Sequence, residues 1–366
     1  MKNNLQKKLG GSERKLGLKK LHFWVAVNLG LVFFVLLLGF LAFRVFHGQN
    51  IAPDIPNLTK DKSIDDGLVE RLIDGVRVEP DKKNNYPVAI MIDNSPDARP
   101  QAGLSRANYV IEAEVEGGIT RYLAIFANNK MPDKIGPVRS ARPYFIDWAQ
   151  EFSAVYTHCG GSPEALVKIT REGVIDLNQF YRADIFWRDN NGVAPHNVYT
   201  SGELLNKFLT TKDLSEGKFF PFSFKKDLDF TARSEQHEIN INYRVRGFHV
   251  NWVYNKDAND YVRFVSGQEY QDASGESIRA KNIIIQVVNA NVLDEKLRLE
   301  MDIVGEGKAH VCLDGDCQAG TWKKKSATAR TRFYDNSGQE FKFNPGTTWV
   351  EVVRPDIEFT LGSKEE

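Results

Sequence analysis

The chain has 366 residues, 42% hydrophobic and 26% charged, enough to bury a core and to form two domains of ordinary size. Its formal net charge is zero, but residues 1–20 hold seven Lys or Arg against Glu13 alone, so the remainder is net acidic. That balance excludes nucleic-acid binding by the body of the protein through bulk charge.

Residues 1–20 therefore read as a basic cytoplasmic tail. Leu21 to Phe43 follows as 23 residues without a formal charge. At ~1.5 Å per residue this span reaches about 34 Å, enough to cross a hydrocarbon core of roughly 30 Å. A cleavable signal would have a shorter apolar region and end in a small-residue cleavage site, which this stretch lacks. The charge asymmetry predicts a single-pass signal anchor over 21–43, with the amino terminus cytoplasmic and the rest extracytoplasmic. Residues 44–84, with Pro53, Pro56 and Pro80, read as a tether.

Residues 85–218 predict an α/β domain. Val88 to Ile92 is a buried strand ending in Asp93-Asn94, and Tyr109 to Val115 pairs with Arg121 to Phe126 as a hairpin through Gly117-Gly118. Helices are expected from Pro143 to Phe152, from Pro163 after Ser162, and from Ser201 to about Leu209. From Phe219 the helical period disappears. Residues 219–358 read as an all-β domain, a sandwich or barrel, so the overall class is α+β behind an N-terminal transmembrane helix.

Cys312 and Cys317 flank Asp314-Gly315, a hairpin turn that could bring the two thiols face to face across adjacent strands. A disulfide suits an oxidising compartment; the alternative, half a metal site, lacks a second ligand pair. Cys159 is left over and reads as a small buried residue. As a nucleophile with His196 for base it has no supporting signature.

The densest polar stretch runs from Glu112 to Ala165. Arg139 and Arg142 sit three apart after a Gly-Pro turn, and Arg121, Arg99 and His196 could join them to grip phosphate or carboxylate. Gly160, Gly161 and Ser162 lie between a strand and a helix, the position of an anion nest. The competing reading is an internal ion-pair network with Glu112, Glu114 and Glu116, which alternate on one strand face. Those carboxylates with Asp93 could instead hold a divalent cation, although no metal-ligand motif is present and no cofactor is identified. Trp252, Trp322 and Trp349 read as packing, with a glycan-stacking platform as the alternative.

Several motifs in order carry a resemblance. They are Val88-Ala89-Ile90-Met91-Ile92-Asp93-Asn94, Ala98-Arg99-Pro100-Gln101-Ala102-Gly103-Leu104, Glu116-Gly117-Gly118-Ile119-Thr120-Arg121, Gly136-Pro137-Val138-Arg139-Ser140-Ala141-Arg142 and Ala194-Pro195-His196-Asn197. Further on come Gly305-Glu306-Gly307-Lys308, Gly320-Thr321-Trp322-Lys323-Lys324 and Asn344-Pro345-Gly346-Thr347-Thr348-Trp349. From about residue 75 to 356 the chain resembles the YerB-like family, bacterial membrane-anchored proteins built on a domain of unknown function. The resemblance implies an envelope location and two domains, and no established activity. Members described as lipoproteins need an acylated Cys after the signal; here no Cys precedes Cys159, which makes the helix the expected anchor. The expected function is capture of an anionic envelope ligand or a partner, the protein partner being unidentified. The alternative is an enzyme acting on a phosphorylated or lipid-linked cell-wall precursor.

Overall fold

In a computed structural model the described residues are 67–127, 130–235 and 237–362. The basic tail, the 21–43 anchor and the tether up to residue 66 lie outside them. Among the described residues no helix is long and apolar enough to cross a membrane.

The site-bearing elements follow the expected order. Strand β1 is Val88–Asp93, β2 is Tyr109–Glu114 and β3 is Thr120–Phe126. Helix α1 is Pro143–Gln150, β4 is Val155–His158, α2 is Pro163–Glu172, β5 is Asp176–Asn178 and α3 is Gly202–Thr211. Downstream come β6 (Asn282–Val287), β7 (Gly305–Leu313), β8 (Asp316–Lys324), β9 (Arg332–Asp335) and β10 (Thr348–Val353). Local chemistry sets the helix starts. Pro opens α1 and α2 with its φ already set, and the Ser162 and Ser201 hydroxyls accept from the amides of Ala165 and Leu204. Gly173, at φ +63°, closes α2 in the left-handed conformation.

These ten strands make one mixed sheet in the order β9-β8-β7-β6-β10-β2-β3-β1-β4-β5. Strand β10 runs parallel to both β6 and β2, from Thr348 beside Tyr109 to Val352 beside Ala113. Residues 219–358 therefore do not close on themselves as a separate barrel. Five of the ten strands come from that segment, and the sheet continues across the expected boundary. The reason is burial. Every residue of β10 is buried on both faces, and a short apolar strand of that kind is stable only with strands on each side.

One face of the sheet is covered by a second, antiparallel sheet built from Glu238–Asn242, Val250–Asn255, Asp260–Val265 and Glu358–Gly362 with two short additions. Ile90, Ile92, Tyr122 and Trp349 pack there against Ile239, Ile241 and Trp252. The opposite face packs Met91, Ile111 and Leu123 against Phe145, Trp148 and Ile169 of α1 and α2. Few helices and many strands make this a β-rich protein.

The tether reading extends too far. Val69–Glu70 pairs with Arg77–Val78, Ile73 and Asp74 are buried, and Asn108 donates to Asp74 Oδ2 at 2.7 Å. The charges that marked this stretch as solvated are satisfied inside the folded body, since Arg71 Nε also donates to Asp74 at 2.8 Å.

Candidate functional site

Strands β1, β4 and β5 are parallel neighbours, with α1 leading from β3 into β4 and α2 joining β4 to β5. Their carboxyl ends, Asp93, His158-Cys159-Gly160 and Asn178, lie side by side, where open α/β sheets place their ligand crevices. The loop 135–142 is drawn over these ends by backbone bonds. The Arg139 amide donates to Met91 O at 2.9 Å, Cys159 N to Arg139 O at 3.0 Å, and Ala141 N to Gly160 O at 3.0 Å. Because α1 begins immediately afterwards, Arg139 and Arg142 are fixed at the rim.

Arg121 joins them from β3, directly across from Asp93 in the antiparallel register. It is 3% exposed, donates to Ser140 O at 3.1 Å and pairs with Glu116 at 3.3 Å, while its Nε has no hydrogen-bond partner. Arg142 Nε donates to Glu116 Oε2 at 2.9 Å, and its Nη2 reaches Glu116 Oε1. Arg139 Nε lies 3.0 Å from Asp93 Oδ2 without an aligned N–H···O bond, and His196 Nδ1 meets that same oxygen at 2.6 Å. Three guanidinium groups and one imidazole thus share two carboxylates.

The electrostatics follow from this crowding. Burial, with help from Arg142 and Arg139, pushes the Arg121 guanidinium down to about 10, which still leaves it charged at neutral pH. Burial pushes the Asp93 carboxyl up, but Arg139, Ser95 and His196 together outweigh it and hold the group below its ordinary value. Glu116 behaves the same way, with Arg121 and Arg142 overcoming its burial. The cluster is positive and only partly neutralised.

Several expected residues stand elsewhere. Arg99 does not join the cluster. It donates to Asn94 O at 3.1 Å and Gly247 O at 2.8 Å, and lies over the Phe248 ring at 4.8 Å, on the side of the second sheet. Asn94 follows Asp93 directly, and adjacent strand residues point to opposite faces, so the two collect different partners. Glu112 and Glu114 also face the second sheet. Glu112 pairs with Arg263, and Glu114 lies 2.9 Å from Arg354. Of the three acids, only Glu116, past the end of the strand, turns to the arginines. Asp93, Glu112 and Glu114 therefore do not converge as oxygen ligands. Among the described residues no group of three or more His, Cys, Asp or Glu comes together as metal ligands.

The nest expected at Gly160-Gly161-Ser162 is occupied by the protein itself. Gly160 N donates to Asn178 Oδ1 at 3.0 Å, Ser162 N to Ala141 O at 3.2 Å, and the Ser162 hydroxyl caps α2. Gly160 holds φ +64° with the Phe180 ring packed where a Cβ would project. The turn thus positions the arginine loop, and its Gly160 and Ser162 amides are not available to an anion. Cys159 is half-buried, its thiol donates to Gln179 at 3.4 Å, and burial pushes its pKa up, the opposite of an activated nucleophile.

Cys312 and Cys317 face each other in register on β7 and β8 and are joined, with Cα atoms 4.0 Å apart. Asp314 and Gly315 between them both have positive φ, as a two-residue hairpin turn requires. Trp252 and Trp349 are buried, and the Trp322 indole donates to Val287 O at 2.8 Å from a buried position, so these rings form no exposed platform.

Sequence reasoning missed Arg263 and Glu351. Arg263 sits where the alternation Tyr261, Val265 points inward, and a charge at such a position was the available signal.

Residues 74–215 match the family described as "Protein of unknown function (DUF3048) N-terminal domain", and residues 239–350 match its C-terminal domain. The protein named "Putative lipoprotein YerB" from Bacillus subtilis (strain 168) is 32% identical over 297 residues, covering 80% of this chain and 88% of that one. The chain belongs to the YerB-like family. The crystal structure of the Bacillus subtilis YerB protein superposes with a TM-score of 0.71 at 30% identity, over 80% of this chain and 99% of that one. The family description assigns YerB-like proteins no activity.

Proposed function

We propose that this is an extracytoplasmic envelope protein that captures a phosphate- or carboxylate-bearing ligand at the carboxyl ends of β1, β4 and β5. The supporting observation is the imbalance around Arg121, a buried guanidinium with an unpaired Nε in a cluster holding more cations than carboxylates. Arg121 shares its one carboxylate, Glu116, with Arg142, so its charge is incompletely offset, and an anion would supply the rest. Arg139 offers outward donors: its Nη1 makes only a 3.5 Å contact with Pro195 O. The relative named as a lipoprotein supports the envelope address, as does the uncharged stretch at 21–43.

The test is a thermal-shift titration of the full chain with inorganic pyrophosphate. A ligand at 100 times its Kd stabilises by about 2.7 kcal/mol, which moves the midpoint by several degrees. Wild type is expected to shift and Arg139→Ala to shift much less. An unmoved wild-type midpoint at millimolar pyrophosphate removes the proposal.

A further inference from the structure

His196 stands at this cluster in an arrangement that anion capture alone does not require. Asp93 is 1% exposed, and its two oxygens are divided: Oδ1 accepts from Ser95 N at 2.9 Å and Ser95 Oγ at 2.8 Å, while Oδ2 faces His196 Nδ1 at 2.6 Å. An ionised carboxylate only accepts, so Nδ1 carries a proton, and whenever the ring is uncharged the lone pair is on Nε2. The His196 side chain is 18% exposed, and Nε2 has no protein partner among the described residues. Arg139, equally exposed, approaches the same Asp93 oxygen, so its outer nitrogens and the free imidazole edge belong to one polar patch. A carboxylate-held imidazole with an open Nε2 beside a guanidinium that has outward-facing nitrogens is the arrangement a proton-transfer site on an anionic substrate needs.

We propose that the site hydrolyses phosphate esters, with His196 as the catalytic proton-transfer residue and Asp93 as its positioning residue. This rests on the anion-binding reading above. In the step, Nε2 takes a proton from water as the water oxygen forms a bond to phosphorus. The bond from phosphorus to the ester oxygen breaks, its electron pair stays on that oxygen, and the imidazolium returns the proton there. The products are an alcohol and a phosphate carrying one added oxygen, and the imidazole ends neutral. Arg139 and Arg121 offset the charge gathering on the non-bridging oxygens. Asp93 keeps the ring in one tautomer and stabilises the transient imidazolium, as a buried carboxylate behind a histidine does elsewhere.

The experiment measures p-nitrophenol release from p-nitrophenyl phosphate and from bis(p-nitrophenyl) phosphate by the full-length chain. It is run beside the pyrophosphate thermal shift. Wild type is expected to turn over at least one ester. His196→Ala, at a partly exposed position, is expected to lose about 100-fold or more in kcat with KM little changed, and added imidazole should restore part of the loss. Its pyrophosphate shift should persist, which separates chemistry from binding and from unfolding. Wild type that releases nitrophenol from neither ester overturns the inference, as does His196→Ala acting at the wild-type rate. If pyrophosphate still stabilises the wild type in that event, anion capture stands and only the hydrolytic step falls.

Discussion

Arg263 and Glu112, 151 positions apart, form an ion pair in which both side chains are fully buried, and the pair ties the second sheet to the ten-stranded one. Glu351 completes the group from β10, accepting from Arg263 Nη1 at 2.7 Å, Trp252 Nε1 at 2.8 Å and Tyr243 Oη at 2.9 Å. The guanidinium also lies over the Trp349 and Trp252 rings, 4.6 Å and 5.1 Å from their centroids. Burial pushes the Glu112 carboxyl upward and Glu351 adds to that, while the adjoining Arg263 guanidinium opposes both and favours the ionised form.

Removing the one cation leaves two buried carboxylates facing each other. Arg263→Met is therefore expected to cost roughly 3–5 kcal/mol in urea unfolding, the range for breaking a buried pair from one side. A loss below 1 kcal/mol would mean that water reaches the triad.

Glu116 competes with any incoming anion for Arg121 and Arg142. Glu116→Gln should thus tighten pyrophosphate binding about tenfold while lowering the stability of the free protein by about 2 kcal/mol, a discounted value for a pair in which Glu116 is 28% exposed. Isothermal titration and urea unfolding of the same variant read both effects. Weaker binding by this variant would show that Glu116 orients the arginines for the ligand.

The same carboxylate sets an acid limit. Its folded pKa lies below the ordinary 4.5, so the unfolded chain binds more protons in that range. The stabilisation is complete above about pH 4.5 and is lost as the pH falls through the folded value. The stability gap between wild type and Glu116→Gln should accordingly narrow from pH 7 to pH 3, as measured by urea midpoints. A gap that stays constant with pH contradicts the assignment.

The Cys312–Cys317 bond closes a very short loop, so its chain-entropy contribution is small. The double variant Cys312→Ser/Cys317→Ser should lower stability by about 2 kcal/mol in oxidising buffer, without changing the sheet. Pyrophosphate binding should be unaffected, because the hairpin of β7 and β8 lies on the far side of β6 and β10 from the arginine loop. Thermal denaturation with and without ligand checks both points.

Much of the local plan was legible in the residues. The run Val88 to Ile92, the prolines at 143 and 163 and the Asp314-Gly315 turn each specify an element through contacts within a few positions. Adjacency of Arg139 and Arg142 to the start of α1 was legible for the same reason. Alternation placed Glu112, Glu114 and Glu116 on one face; that holds for the first two, but the strand ends at Glu114 and Glu116 turns to Arg121 and Arg142.

Which face that was, and who waited there, depended on tertiary pairing. Strand β10 inserts between β6 and β2, and with it Glu351 comes to Arg263 and Glu112. The same sheet separates Arg99 from Arg121 by sending Asn94 and Asp93 to opposite sides. Periodicity reports which residues of one strand point together, because side chains alternate along it. It carries no information on which strand, more than a hundred residues away, will lie alongside, because that choice is decided by the burial of whole faces.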